Sequence, residues 1–161
     1  MTVTPRPLSA SEYRAVAQLW HDTWHEAHAT FVPPALVALR TVDDFQRRLT
    51  DMAKHVRVIG ASGAPDGLCA IRTNEVDQLF VHPRARGTGA AAALLNDAEA
   101  RLRKAGTRLA ELDCIPENAT AIRFYTKMGW MDQGVQDIPL DTSAGPFTLR
   151  CVVFKKRLKE D

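Results

Sequence analysis

Residues 79–94, Leu-Phe-Val-His-Pro-Arg-Ala-Arg-Gly-Thr-Gly-Ala-Ala-Ala-Ala-Leu, carry the clearest chemistry in the chain. An apolar strand runs into a proline, a short basic and glycine-rich loop follows, and an alanine-rich helix begins. A helix N-terminus presents free backbone N–H groups and about half a positive charge. Gly87 and Gly89 lack Cβ atoms, so a ligand can come close to that backbone. Arg86 adds a full charge at the rim. Together these features make a site for a diphosphate.

Two kinds of protein use such a loop. Gly87-Thr-Gly89-Ala-Ala-Ala92 fits the G-x-G-x-x-G/A fingerprint of dinucleotide-binding folds, with Glu111 and Asp113 roughly where an acidic ribose ligand is wanted. Three features count against that reading. His82 to Arg86 intervene between strand and loop, the unit starts halfway along the chain, and too few βαβ repeats follow for a doubly wound sheet. Arg86-Gly-Thr-Gly89-Ala-Ala91 fits equally the Q/R-x-x-G-x-G/A loop of the GNAT acyl-CoA transferases. A second segment separates the two. Residues 112–130 resemble the GNAT pattern of a strand, then N-x-x-A, then a tyrosine, then G-[FW]. Asn118, Ala121, Tyr125 and Gly129 fall at the family spacing, followed by Trp130, and the first motif extends upstream as Leu79-x-Val81-x-Pro83. The chain resembles the GNAT superfamily closely over residues 75–131 and in element order beyond them.

That resemblance implies an α/β fold with a central, mostly antiparallel mixed sheet, splayed where acyl-CoA binds, and helices on both faces. It implies an N-acetyltransferase that takes acetyl-CoA as donor substrate, without a metal, and attacks directly in a ternary complex. In such folds the pantetheine arm pairs with the splayed strand, here Leu79, Phe80 and Val81, and a backbone N–H there can polarise the thioester carbonyl. The loop N–H groups of Arg86, Gly87, Thr88, Gly89, Ala90, Ala91 and Ala92 hold the diphosphate. Asn118 bonds the pantetheine arm and also suits an ordinary N-cap. Tyr125 is the general acid that protonates the departing thiolate. An acyl-CoA-binding regulatory module with little turnover is the alternative.

The base is less determined. An amine of pKa near 10 is about one part in a thousand neutral at pH 7, a cost of roughly 4 kcal/mol unless a base or a desolvated site helps. Asp113 sits five residues before Asn118, where some family members carry a glutamate, and is the preferred candidate. Glu75 and Asp77, at alternate positions of the strand leading into Leu79, are the others. Ala90 and Ala91 also depart from the commoner residues of the loop, without excluding the ligand. On the acceptor side, Trp20, Trp24, His25, His28 and Phe31 lie on the first helix and the bend after it. His21 and His25 are four apart, a spacing that can bind metal, but His25-Glu-Ala-His28 is one residue short of H-E-x-x-H. The acceptor is a small-molecule or peptide amine.

These residues need a scaffold, and the pattern supplies one. The sequence predicts a short strand around Val3 and a capping pair at Ser9 and Glu12. A helix with Tyr13, Val16, Ala17, Trp20, Trp24 and Ala27 on one face follows, broken by Phe31-Val-Pro-Pro34. Thr41 and Asp44 start a second helix through Phe45, Leu49 and Met52. Strands are expected over 55–61, 68–72 and 76–81, with a hairpin turn over 62–67. The loop helix runs to Lys104 and stops at Gly106. A strand over 108–115, a helix from Asn118 to Gly129, and strands over 130–135 and 147–154 joined by a Pro/Gly loop complete the chain.

Composition sets the outer bounds. With 161 residues, 45% apolar and 25% charged, the chain suits one domain, 1–161, able to bury its own core. A net charge of +2 gives no broad field for nucleic acid, and no apolar run approaches a membrane span. The basic cluster Lys155-Lys-Arg157 reads as a solvated terminus. Cys69, Cys114 and Cys151 fit no zinc spacing and read as reduced, buried thiols in a cytoplasmic protein. Homodimers are common in this family.

Overall fold

The computed structural model describes residues 4–159. In chain order these form β1 (Arg6–Pro7), α1 (Tyr13–His28), α2 (Pro34–Leu39), α3 (Val42–Met52), β2 (Val56–Ala61), β3 (Ala64–Arg72), β4 (Glu75–Val81), α4 (Ala90–Lys104), β5 (Leu109–Cys114), α5 (Ala119–Lys127), β6 (Met131–Thr142) and β7 (Gly145–Arg157). The strands make one seven-stranded sheet in the order β1-β2-β3-β4-β5-β7-β6. Every pairing is antiparallel except that of β4 with β5. The mixed, mostly antiparallel sheet expected from the sequence is therefore present. A doubly wound sheet is not, and with it goes the dinucleotide alternative.

The helices start and stop where local chemistry dictates. Thr41 Oγ1 accepts the Asp44 N–H at the head of α3, and Asn118 Oδ1 accepts the Ala121 N–H at the head of α5. Gly106 and Gly129, both at positive φ, close α4 and α5; the Trp130 N–H returns to the Tyr125 carbonyl. One face of the sheet is covered by α1, α2 and α3, where Val16, Trp20, Leu36, Phe45 and Leu49 are buried. The other is covered by α4 and α5 around Leu94, Leu95, Leu102, Tyr125 and Phe154. Each core rests on the alternating inward residues of the strands between them. Among the described residues no helix is long and apolar enough to cross a membrane.

Several details differ from the sequence reading. Val3 lies outside the described residues, and the first described strand is Arg6–Pro7. The predicted turn over 62–67 is a two-residue turn, with Ala61 paired to Ala64 and most of the segment in β3. The Pro-Pro break starts a helix, α2, with Pro34 in its first turn, a position that suits proline. The Pro/Gly loop near the C-terminus is instead the tip of a long β6–β7 hairpin that pairs from Met131↔Lys155 to Thr142↔Gly145. Pro139 is tolerated because β6 is an edge strand. Lys155 and Lys156 are not a solvated terminus: they pair with Glu111 at 3.2 Å and Glu99 at 2.7 Å.

A buried carboxylate ties the N-terminal strand to the hairpin beside it. Glu12 is 1% exposed and receives Arg6 Nη1 at 2.6 Å, the Ser9 N–H at 2.8 Å and the Gly63 N–H at 3.3 Å. The Arg6 pair, aided by these N–H donors, holds the carboxyl down to about 2 against an ordinary value of 4.5. A lowered folded pKa gives stability that is present above the ordinary value and is lost as pH falls toward the folded one. Glu12→Gln should cost about 2 kcal/mol in unfolding at neutral pH. The gap to wild type should close as pH drops from 4.5 to about 2, read by urea unfolding across that range.

Candidate functional site

Strands β4 and β5 begin as neighbours and then part. They share one register pair, Glu75↔Glu111, after which β5 gives its pairing to β7 alone, from Leu109↔Arg157 to Cys114↔Val152. On its other edge β4 stays paired with β3 as far as Val81↔Gly67. A bulge at Asp77, where Gln78 and Val76 oppose the consecutive residues Ala70 and Ile71, bends β4 at the point of departure. The His82 N–H donates to Asp66 O at 2.7 Å. Antiparallel alternation then turns the N–H groups of Leu79 and Val81 away from β3, into the gap.

The strand leads into the glycine-rich loop as the sequence suggests. Gly87 and Gly89 have φ of 79° and 87°, with no heavy atom within 4 Å of where a Cβ would stand. That is an open cradle with a backbone that disfavours other residues. The first backbone hydrogen bond of α4 is Ala93 N to Gly89 O at 3.0 Å, so the N–H groups of Ala90, Ala91 and Ala92 have no backbone acceptor among the described residues. The donor set fits a diphosphate. The Thr88 hydroxyl donates to Ala85 O. Arg86 stands at the rim and reaches Glu26 of α1 at 2.7 Å, with both side chains half exposed.

Between the parted strands lies a cavity of about 130 Å³ that passes from one face of the sheet to the other. On the α5 side it is lined by Asn118, Ala121 and Tyr125; along β4 by Asp77, Gln78, Leu79 and Phe80; along β5 by Asp113 and Cys114. On the opposite face it is lined by Trp24, His28, Arg40 and Arg48, with Leu140, Leu149 and Cys151 of the hairpin behind. It adjoins a larger cleft of about 960 Å³ that shares Arg40, Arg48, Asp77 and Asp113 and adds Glu75, Arg72 and Asp141. Of the sequence candidates, the structure brings together Tyr125, Asn118, Asp113, Asp77 and β4. Glu75 sits in the outer cleft instead. Trp24 and His28 border the cavity, whereas Trp20 is fully buried in the core and Phe31 is exposed. The rings of His21 and His25 lie 4.2 Å apart at a tilt of 37°, and His25 Nε2 lies 2.7 Å from the Arg40 carbonyl.

Electrostatics sort these groups. Burial, then repulsion from Asp77 and Asp113, pushes Glu75 up to about 7. Burial also raises Asp77 and Asp113; Arg48 offsets part of the rise at Asp77, and the Cys151 thiol hydrogen-bonds Asp113. Tyr125 is raised by burial, so it holds its proton. Burial lowers His28, and its Nδ1 lies 2.9 Å from Trp24 O. A carbonyl only accepts, so Nδ1 carries the proton and Nε2 is left with a lone pair. Arg40 and Arg48 escaped the sequence reading. Each is one of many arginines in a polar stretch, and only the folding of α3 and the turn before it against α1 and the sheet brings them to the cavity.

Comparisons with known proteins agree with this geometry. Residues 13–130 match the model of the acetyltransferase (GNAT) family. The chain is 39% identical over 61 residues to an uncharacterized N-acetyltransferase of Methanocaldococcus jannaschii, a match that spans 38% of this chain and 27% of that protein. Its fold is similar to the PaiA N-acetyltransferase of Thermoplasma acidophilum, solved with coenzyme A: TM-score 0.73, 17% identity, covering 98% of this chain and 99% of the other. It is also similar to a phosphinothricin acetyltransferase of Sinorhizobium meliloti, solved with acetyl-CoA: TM-score 0.70, 20% identity, covering 98% and 89%.

The raised Glu75 has a measurable consequence. Its folded pKa of about 7 exceeds the ordinary 4.5, so its contribution to stability is full below 4.5 and is lost as pH rises through 7. Glu75→Gln should remove that decline and make the protein more stable than wild type above pH 7, on the order of 1 kcal/mol. Thermal unfolding of both proteins from pH 4.5 to 8.5 checks it.

Proposed function

The chain belongs to the GNAT acetyltransferase family, and from that premise we propose that it transfers an acetyl group from acetyl-CoA to a primary amine by direct attack in a ternary complex. One observation carries the reading: β4 leaves β5, and its residues Leu79 and Phe80 line a cavity that Tyr125 and Asp113 also line. The pantetheine arm would lie along that backbone as a substitute strand, with the diphosphate on the N–H groups of Gly87 and Gly89 to Ala92; those of Arg86 and Thr88, also expected from the sequence, already donate to Pro83 and Ala85 carbonyls. Asn118 would serve the arm with the part of its carboxamide not used in capping α5. Arg86, held by Glu26, would stand beside the diphosphate.

In the reaction the amine nitrogen forms a bond to the acetyl carbonyl carbon, and the carbon–sulfur bond of the thioester breaks. Negative charge develops on the carbonyl oxygen, where the N–H of Leu79 or Val81 can donate. The acceptor gives its proton to a base in the cavity. Asp113 is our preferred base, with Asp77 and Nε2 of His28 facing the same space and Glu75 one step outside. The thiolate takes its proton from Tyr125, and that proton is restored through the solvent-open cleft. The products are an N-acetylamine and free CoA. Cys114 and Cys151 are pushed up to about 12 by burial, so neither is a ready nucleophile for an acyl-enzyme.

Acetyl-CoA at a hundred times its Kd should raise the unfolding free energy by about 2.7 kcal/mol, several degrees at this size. NAD should give no shift. Tyr125→Phe should lower kcat by about 10²-fold or more while leaving the acetyl-CoA shift intact. A regulatory module would instead bind acetyl-CoA and release no thiol with any amine. Unchanged kcat in the variant would remove Tyr125 from the role of acid.

A further inference from the structure

The wall of the cavity facing Tyr125 carries cations with unused donors. Arg48 of α3 lines both the cavity and the outer cleft. Its guanidinium lies 4.5 Å from the centre of the Trp20 ring and 5.4 Å from that of Phe45. It has no carboxylate within ion-pair distance among the described residues, and its Nη1 is buried without a hydrogen-bond partner. Arg40, 3% exposed, is tied to Asp44 at 3.1 Å and to the Asp141 carbonyl at 3.1 Å, yet its Nε is also buried and unpartnered. Asp44 could have neutralised Arg48, being one helical turn before it, but its two oxygens are taken by Arg40 and Arg47.

A buried donor on a charged group is costly to leave unsatisfied. The cost at Arg48 is visible in its acidity, which burial brings to about 10 from the usual 12.5. Such a group gains when an anion arrives, and a guanidinium fork matches a planar carboxylate best. Asp113 on β5 presents the opposite sign, and Asp77 on β4 lies within the field of Arg48, which offsets part of the effect of its burial. The space therefore has a negative wall suited to an ammonium and a positive wall suited to a carboxylate.

Resting on the acetyltransferase reading above, we propose that the acceptor is a free amino acid, whose carboxylate is held by Arg48 with help from Arg40 while its amine faces Asp113 and the thioester. The products are then an N-acetylamino acid and CoA, by the same bond exchange. Polyamines fit poorly, because a second ammonium would meet the two guanidinium groups. A lysine side chain or a peptide N-terminus carries no carboxylate at the right remove.

The test is thiol release from acetyl-CoA by the purified protein with matched acceptors: the amino acids, their carboxamides, their decarboxylated amines, spermidine and a short peptide. The amino acids should be preferred over their carboxamides by about tenfold or more in kcat/KM. Arg48→Met keeps an apolar stem over Trp20 and Phe45 and removes the charge. It should raise KM for the amino acid roughly 30-fold or more, leave KM for acetyl-CoA unchanged, and abolish the preference over the carboxamide. Arg48→Lys should retain part of the preference, and guards against loss of fold in the first variant. Carboxamides, decarboxylated amines, spermidine or the peptide reacting as well as the amino acids would overturn the proposal while leaving the acetyltransferase reading intact. Thiol release from no amine, with no thermal shift by acetyl-CoA, would overturn both.

Discussion

Everything at the site depends on a parallel strand pair that holds at one position and then opens. A strand interior to a sheet normally satisfies its backbone on both edges. Here β4 keeps β3 on one edge and, past Glu75, loses β5 on the other, while β5 stays paired with β7 on its far edge. The bulge at Asp77 bends β4 where it leaves β5. The result is an internal strand edge with free N–H groups, placed where a side chain would have to be added to make such donors elsewhere. The loop at the end of the same strand starts α4, so strand edge and helix terminus lie in line, one after the other.

How much of this was legible follows from the range of the interactions. The glycines of the loop, the cap of α5 at Asn118 and the stop at Gly129 are local chemistry, and the sequence displays them within a few residues. Tyr125 is legible for the same reason: it rides on a helix whose two ends are marked. The short helix α2 was missed although Pro34 marks its start, because a Pro-Pro pair signals a break as strongly as a beginning. The length of the β6–β7 hairpin was hidden because a run from Met131 to Thr142 that buries little has no alternating pattern to read. Arg40 and Arg48 were out of reach altogether. Their role comes from contacts between separate elements, Arg48 over Trp20 of α1 and Arg40 on Asp141 of β6, and no periodicity records it.

The carboxylates divide along the same line. Sequence alternation placed Glu75 and Asp77 on one face of β4 and made them equivalent candidates. The bulge at Asp77 breaks that alternation, so Asp77 lines the inner cavity and Glu75 only the outer cleft. Three carboxylates, Glu75, Asp77 and Asp113, are all raised by burial and form one repelling group, and Arg72, with Arg48 at Asp77, limits the excess of negative charge. A charge added or removed in this group shifts the others, which makes the base a property of the cluster as much as of one residue.

The same low-dielectric surroundings bear on the acid. Burial raises Tyr125, which taken alone makes it a weaker donor. Yet the leaving group it would serve departs into the same space, and the chain's own thiols show what that space does to sulfur. Cys114 and Cys151, beside the cavity, are pushed up to about 12 by burial. Burial disfavours a thiolate there as it disfavours a tyrosinate, so acid and leaving group are shifted in the same direction. In the proposed reaction Tyr125 would therefore keep its proton through substrate binding and give it up only to a thiolate formed in the same buried space.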